Sequence, residues 1–148
     1  MPHAGLMDEN SLGPVEAQFQ RARLHIRGGK RRLRQGKISA GIVTLYDALL
    51  AAMDWYIASP AHQGSLLLRD EDDLNNAQSA YAVLVRCGVL DETFDMAAFD
   101  ALADRALDEE LDGFDHRELL SGIENVMTRL GVMPFDEAAL PPEDPNTF

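Results

Sequence analysis

The chain has 148 residues, 46% of them apolar, and a formal net charge of −12. That length holds one domain with a sizeable core, and that charge argues against a general nucleic-acid binder and against adhesion to anionic membranes, both of which need a positive field. One cysteine, Cys87, excludes an internal disulfide and fits a reducing compartment, so the cytoplasm is the expected location.

Residues 1–13 are polar, lack a hydrophobic signal core and read as a disordered leader. Pro14 suits the first turn of a helix. Val15, Phe19, Ala22, Ile26, Gly29 and Leu33 then recur at steps of 4, 3, 4, 3 and 4, which is one helical face. The Gly28–Gly29 pair costs about 2 kcal/mol of helix propensity against two alanines. Gly29 lies on the apolar stripe, where a missing side chain lets a neighbouring helix approach closely; a kink at this pair is the competing reading.

The second helix is expected from about Lys37 to Ala58, with Ile38, Ile42, Leu45, Leu49, Met53 and Tyr56 as its stripe. Tyr46, Leu50 and Ile57 widen the apolar arc to about half the circumference, which predicts a central position in a bundle. Asp47 and Asp54 interrupt the run and argue against a transmembrane span. Pro60 stops the helix, and 59–70 form a connection. Asp70 or Asp72 is then placed as the cap of a third helix with Leu74, Ala77, Tyr81, Leu84 and Gly88 on its face. A fourth begins near Thr93 or Asp95, buries Phe99, Leu102 and Ala106, and ends near Gly113. A fifth opens with Asp115 and Glu118 in capping-box spacing, carries Leu119, Leu120, Ile123, Met127 and Leu130, and ends at Gly131. Residues 134–148 hold four prolines and four acids and read as an acidic, Pro-rich tail, mobile or draped over the surface. No segment alternates with period two. The expected fold is therefore all-α: a compact bundle of about five helices over 14–133, with helices 1 and 2 as an antiparallel hairpin.

The run Val83–Leu90 resembles Val126–Met133 at an offset of 43 residues. A glycine followed by an apolar residue is what a Schellman helix end requires, so shared capping is favoured over an internal repeat.

Gly36, Gly41, Ile42, Leu45 and Ala48 resemble the second helix of a tetratricopeptide repeat, and Gly29 falls where that family places the glycine of its first helix. The resemblance covers about 35 residues without a second copy and implies one hairpin of that type. The same stretch also resembles the HEPN superfamily, through Tyr46, Ala48 and Ala52. Ribonucleases of that superfamily use an arginine followed, after four to six residues, by a histidine. Here three residues separate Arg21 from His25, and ten separate Arg105 from His116. That resemblance thus implies a non-catalytic bundle partnering a nucleotidyltransferase or nucleic acid.

Chemical motifs are sparse. Asp108, Glu110, Asp112 and Gly113 match the opening of a calcium-binding EF-hand loop. Asp115 at the apolar eighth position and Leu119 at the bidentate twelfth do not, so no calcium is expected there. His3, His25, His62 and His116 lack ligand spacing and read as surface residues. Cys87 lies next to a helix C-terminus, where the dipole disfavours a thiolate, and reads as core. No catalytic residue and no cofactor is expected. The functional reading is a protein-interaction or adaptor module, not an enzyme.

Charge supplies the one candidate site. Eight of the 13 Lys/Arg residues fall between Arg21 and Lys37, a stretch without an acid, leaving 5 bases against 25 acids elsewhere. Arg23, Arg27, Lys30 and Arg34 share one helical face, with Asp47 and Asp54 of the next helix as candidate partners. Arg23 and Arg27 are expected to be paired. Lys30, Arg31, Arg32 and Arg34 are expected to be mostly exposed and to dock another protein, an acidic one. Net charge disfavours nucleic acid in that role, no membrane partner is expected, and a homo-oligomer stays open.

Overall fold

The computed structural model describes residues 12–147; the leader expected over 1–13 lies, up to residue 11, outside them. Five α-helices follow one another: α1 (Pro14–Arg34), α2 (Ile38–Ala58), α3 (Ala77–Arg86), α4 (Met96–Asp108) and α5 (Arg117–Arg129). Single 3-10 turns occur at Gln63–Ser65, Glu137–Ala139 and Pro145–Thr147, and no strand occurs among the described residues. The all-α expectation holds.

The turn between α1 and α2 is a Schellman motif. Gly36 takes φ 77°, the Gly36 N–H donates to the Leu33 carbonyl at 3.1 Å, and the Lys37 N–H donates to the Arg32 carbonyl at 2.9 Å. Only glycine adopts that backbone without strain, so the hairpin reverses there. The two helices then cross at their glycines. A Cβ on Gly29 would lie 2.8 Å from Leu45 Cγ and 3.4 Å from the Gly41 carbonyl. A Cβ on Gly41 would lie 2.7 Å from Leu33 Cδ2 and 3.2 Å from the Gly29 carbonyl. Each glycine thus receives a leucine of the other helix. Of the two readings of Gly28–Gly29, the close approach is seen, and the helix assignment of α1 continues through the pair.

All four other helices touch α2. Ile42, Leu45, Ala48, Leu49 and Ala52 on it are fully buried. By length and composition α2 could cross a membrane, with a mean hydropathy of 1.3, but 61% of that window is buried inside the bundle. Its N-terminus lacks a side-chain cap from Lys37 and any acid in the first turn. The segment after α4 supplies one. The Ser39 N–H donates to Glu110 Oε1 at 3.2 Å. The Ser39 hydroxyl donates to the Glu109 carbonyl at 2.8 Å and accepts from the Leu111 N–H at 2.8 Å. An orphan helix-end donor and the positive end of the dipole thereby gain a tertiary carboxylate.

Three boundaries differ from expectation. α3 starts at Ala77, capped by the Asn76 side chain, which accepts from the Ser79 N–H at 3.0 Å; Leu74 precedes the helix. Asp72 cannot cap it because Arg86 holds that carboxylate with both Nη atoms, at 3.0 and 2.8 Å, while Nη2 also donates to the Leu67 carbonyl at 2.7 Å. The connection therefore extends over 59–76. α4 is capped by Asp95, whose carboxylate accepts from the Ala98 N–H at 2.9 Å, but ends at Asp108 rather than near Gly113. α5 opens at Arg117 without a side-chain cap hydrogen bond, so the Asp115–Glu118 box is not formed. The Asp115 carboxylate instead accepts from the Arg117 backbone N–H at 3.1 Å and its guanidinium at 2.7 Å.

The echo between 83–90 and 126–133 is two copies of one helix end. Gly88 and Gly131 take φ 78° and 83°, and the next N–H donates back to the carbonyl of Leu84 at 2.9 Å and of Met127 at 3.0 Å. Shared capping accounts for it.

Candidate functional site

α1 places Arg23, Arg27, Lys30 and Arg31 along one face, and the chain after α5 runs across them. Arg23 Nε donates to the Val132 carbonyl at 3.1 Å, and its guanidinium carbon sits 4.1 Å from the Phe19 ring centre and 5.0 Å from that of Phe135. Arg27 Nη1 donates to the Glu137 carbonyl at 3.5 Å, and its Nε lies 3.8 Å from Glu143 Oε1. Arg31 Nε donates to Glu143 Oε2 at 3.0 Å. Lys30 Nζ lies 3.6 Å from Glu137 and 3.8 Å from Glu124. Of the two states expected for the tail, mobile or draped, the described residues adopt the draped one. Burial lowers the Arg23 pKa from its usual value, yet a guanidinium remains charged at neutral pH.

This arrangement corrects the expected exposure of the basic patch. Arg31 is 6% exposed, and Lys30 and Arg32 are half-buried; Arg34 alone of the four is exposed. The reason is angular. Arg31 stands four residues from Arg27 and eight from Arg23, so it belongs to the covered stripe. Arg32 points toward α2, where its Nη1 donates to Thr44 Oγ1, and Thr44 Oγ1 donates to the Ala40 carbonyl at 2.7 Å. Burial lowers the Arg32 pKa first, the charge of Arg31 adds to that, and Glu143 opposes it. Arg27 is ion-paired as expected, but with Glu143 and not with Asp47 or Asp54, whereas Arg23 meets a carbonyl and two aromatic rings in place of an acid. Asp47 is half-buried; burial raises its pKa, opposed by the charge of Arg21.

The histidines also differ from a uniform surface reading. His25 is 1% exposed within α1. His62 is half-buried, stacked 3.8 Å from the Tyr56 ring with Nδ1 2.9 Å from the Tyr56 carbonyl. His116 is half-buried, and His3 lies outside the described residues. Cys87 is half-buried, and its Sγ accepts the Leu67 N–H at 3.4 Å. No group of three His, Cys, Asp or Glu residues able to hold a metal occurs among the described residues. In the EF-hand-like stretch Asp115 is engaged by Arg117 and Glu110 by Ser39.

A second site was not anticipated from the sequence. α4 and α5 both pack on α2 and leave between them an open groove of about 950 Å³. Phe94, Phe99, Leu102, Phe114, Leu119 and Val126 line it. Leu102 and Leu119, expected as core, are half-buried here. Gly122 on α5 shapes one wall: a Cβ there would meet Phe94 Cδ1 at 2.9 Å, so the ring rests on the helix backbone. The Phe94 ring in turn meets Phe99 edge-on at 5.6 Å. The rim carries Asp91, Asp95, Asp115 and Glu118 against Arg105 and Arg129. Arg129 donates to Asp91, and Arg105 pairs with Glu109 at 2.8 Å, so much of the basic charge at the rim is already matched. The Arg117 guanidinium and backbone N–H pull the Asp115 carboxyl down to about 2. Asp91 is lowered by the Thr93 side chain and backbone, and by Arg129. Asp115 and Asp91 are thus paired with Arg117 and Arg129, and the lining holds four acids against two bases. The legible signal was a phenylalanine shortly before each of the two helices, Phe94 and Phe114.

Compared with known proteins, no family model matches the chain, no curated protein matches it, and no solved structure matches its fold.

Proposed function

We propose that the protein is a cytoplasmic interaction module that acts by binding, and that the α4–α5 groove receives an apolar helical segment of a partner protein flanked by basic residues. One observation carries this reading: an open groove of about 950 Å³ lined by phenylalanine and leucine under an acid-rich rim. Helix-in-groove recognition uses apolar anchors one or two turns apart, and rim charge selects the flanks of the segment. The close glycine crossing of α1 on α2 supports a hairpin of tetratricopeptide type as the platform.

Selection from a library of displayed helical peptides tests the proposal. Enriched sequences should carry apolar residues at i, i+4 and i+7 between lysines or arginines. Their binding should be lost with Leu102→Asp or Leu119→Asp while the melting temperature is kept. Failure to enrich such sequences, or binding that survives both substitutions, would place recognition elsewhere.

A further inference from the structure

The tail across α1 has the properties of a bound ligand. One of its contacts, from Arg27 to the Glu137 carbonyl, reads backbone and not side chain, and a second sets the Phe135 ring 5.0 Å from the Arg23 guanidinium carbon. A third is a single carboxylate, Glu143, approached by both Arg27 and Arg31. The amides of Ala138, Ala139 and Leu140 bond within the tail itself, to Asp136 and Glu137. No residue in 134–146 is buried, whereas Arg27 and Arg31 beneath are 8% and 6% exposed. The tail is thus a shallow cover over deeply placed cations.

The match is also incomplete. Arg27 Nη2 is buried without a hydrogen-bond partner among the described residues, and Arg27 Nε and Glu143 Oε1 face each other at 3.8 Å as an ion pair too long for a hydrogen bond. A buried charged donor left unmade is costly, so a segment with a further carboxylate at this level would bind better than the resident one.

From this geometry we propose that the Arg23–Arg27–Lys30–Arg31 stripe is a docking surface for an acidic, extended protein segment, with the chain's own residues 134–143 as resident occupant and latch. It involves no residue of the α4–α5 groove. Because the tail is tethered directly to the end of α5, it competes at an effective concentration of roughly millimolar. A segment in trans then binds with an affinity reduced by the fraction of molecules whose latch is open. An acidic protein segment fits better than a phosphate chain, since beside the Glu137 and Glu143 carboxylates the stripe meets a backbone carbonyl and the Phe135 ring, which a phosphate chain does not supply.

The test uses the full chain and a fluorescent peptide with the sequence of residues 134–147, read by anisotropy. Glu137→Lys with Glu143→Lys should release the latch and tighten peptide binding at least about tenfold over the parent. Raising salt from low to high should weaken it, and adding Arg27→Gln and Arg31→Gln should abolish it. A released-latch variant that melts like the parent and binds no more tightly would overturn the proposal. So would equal affinity for an oligothymidine of similar length, which would make the surface a general polyanion site. An arm that needs no variant is NMR on the isotope-labelled parent chain. Saturating unlabelled peptide should move the side-chain carboxyl signals of the chain's own Glu137 and Glu143 toward those of the free peptide. Unchanged signals there, with the peptide at concentrations where it saturates, count against displacement.

Discussion

Replacing Gly29 by alanine sets two effects of opposite sign against each other. Alanine gains about 0.8–1 kcal/mol of helix propensity over glycine. The added Cβ, however, would sit 2.8 Å from both Cγ and Cδ2 of Leu45. Carbon atoms prefer about 3.5–4.0 Å, so the overlap is close to an ångström. Leu45 is fully buried and cannot swing into solvent, and the Gly41 backbone behind it is held in α2. Overpacking of this kind costs about 1–3 kcal/mol. The steric effect wins, with a net loss of up to about 2 kcal/mol, and a domain of this size loses about 2–4 °C of Tm per kcal/mol. Gly29→Leu should fall further. Urea denaturation followed by circular dichroism measures the loss, and a double-mutant cycle assigns it. Leu45→Ala alone costs about 2–5 kcal/mol, but in that background Gly29→Ala should become neutral or stabilising, giving a coupling of about 1–3 kcal/mol. A Gly29→Ala protein that melts higher than the parent, or a cycle that adds without coupling, would refute the glycine crossing.

Other predictions concern the cations, the loop and the core. Arg34→Ala should leave stability within about 0.5 kcal/mol, whereas Arg31→Ala should cost about 1–3 kcal/mol by stripping a charged partner from Glu143, both measured by urea denaturation. Tyr46→Phe removes the hydroxyl that donates to Asp100 and should cost about 1 kcal/mol, with Gln78 still holding the other Asp100 oxygen at 2.8 Å. Asp72 is pulled down to about 2 by its hydrogen bonds from Arg86 and the Arg69 N–H. A depressed folded-state pKa means that its contribution is complete above the ordinary carboxylate value and is lost as pH falls toward 2, so the 59–76 connection should loosen in that window. A carbon-detected NMR titration giving Asp72 an ordinary value would remove the Arg86 anchor from this account.

The helical fold was legible because the information is local and periodic. The stripe through Val15, Phe19, Ala22, Ile26, Gly29 and Leu33 names the face of α1, and the wide apolar arc of α2 names the hub. The Schellman ends at Gly36, Gly88 and Gly131 need only a glycine and its neighbours. Where a side chain had alternative partners, spacing was insufficient. Asp72 has the chemistry of a helix cap, but a guanidinium 14 residues away takes it. Asp115 and Glu118 have capping-box spacing, but Arg117 engages the first of them.

Tertiary structure alone decided the fate of the charges and the shape of the surface. The sequence by itself determined that Arg23, Arg27, Lys30 and Arg34 share a helical face, since that follows from 3.6 residues per turn; that Arg31 joins the covered part of it emerged only with the tail in place. It did not determine that Glu143, more than 100 residues later, would lie over that face, because a Pro-rich acidic tail has no period with which to encode its direction. Nor could it show that α4 and α5 would diverge on α2 and leave Leu102 and Leu119 half-covered. An apolar stripe states that a face avoids water, and only the positions of the neighbouring helices decide whether that face is closed in a core or left open as a groove.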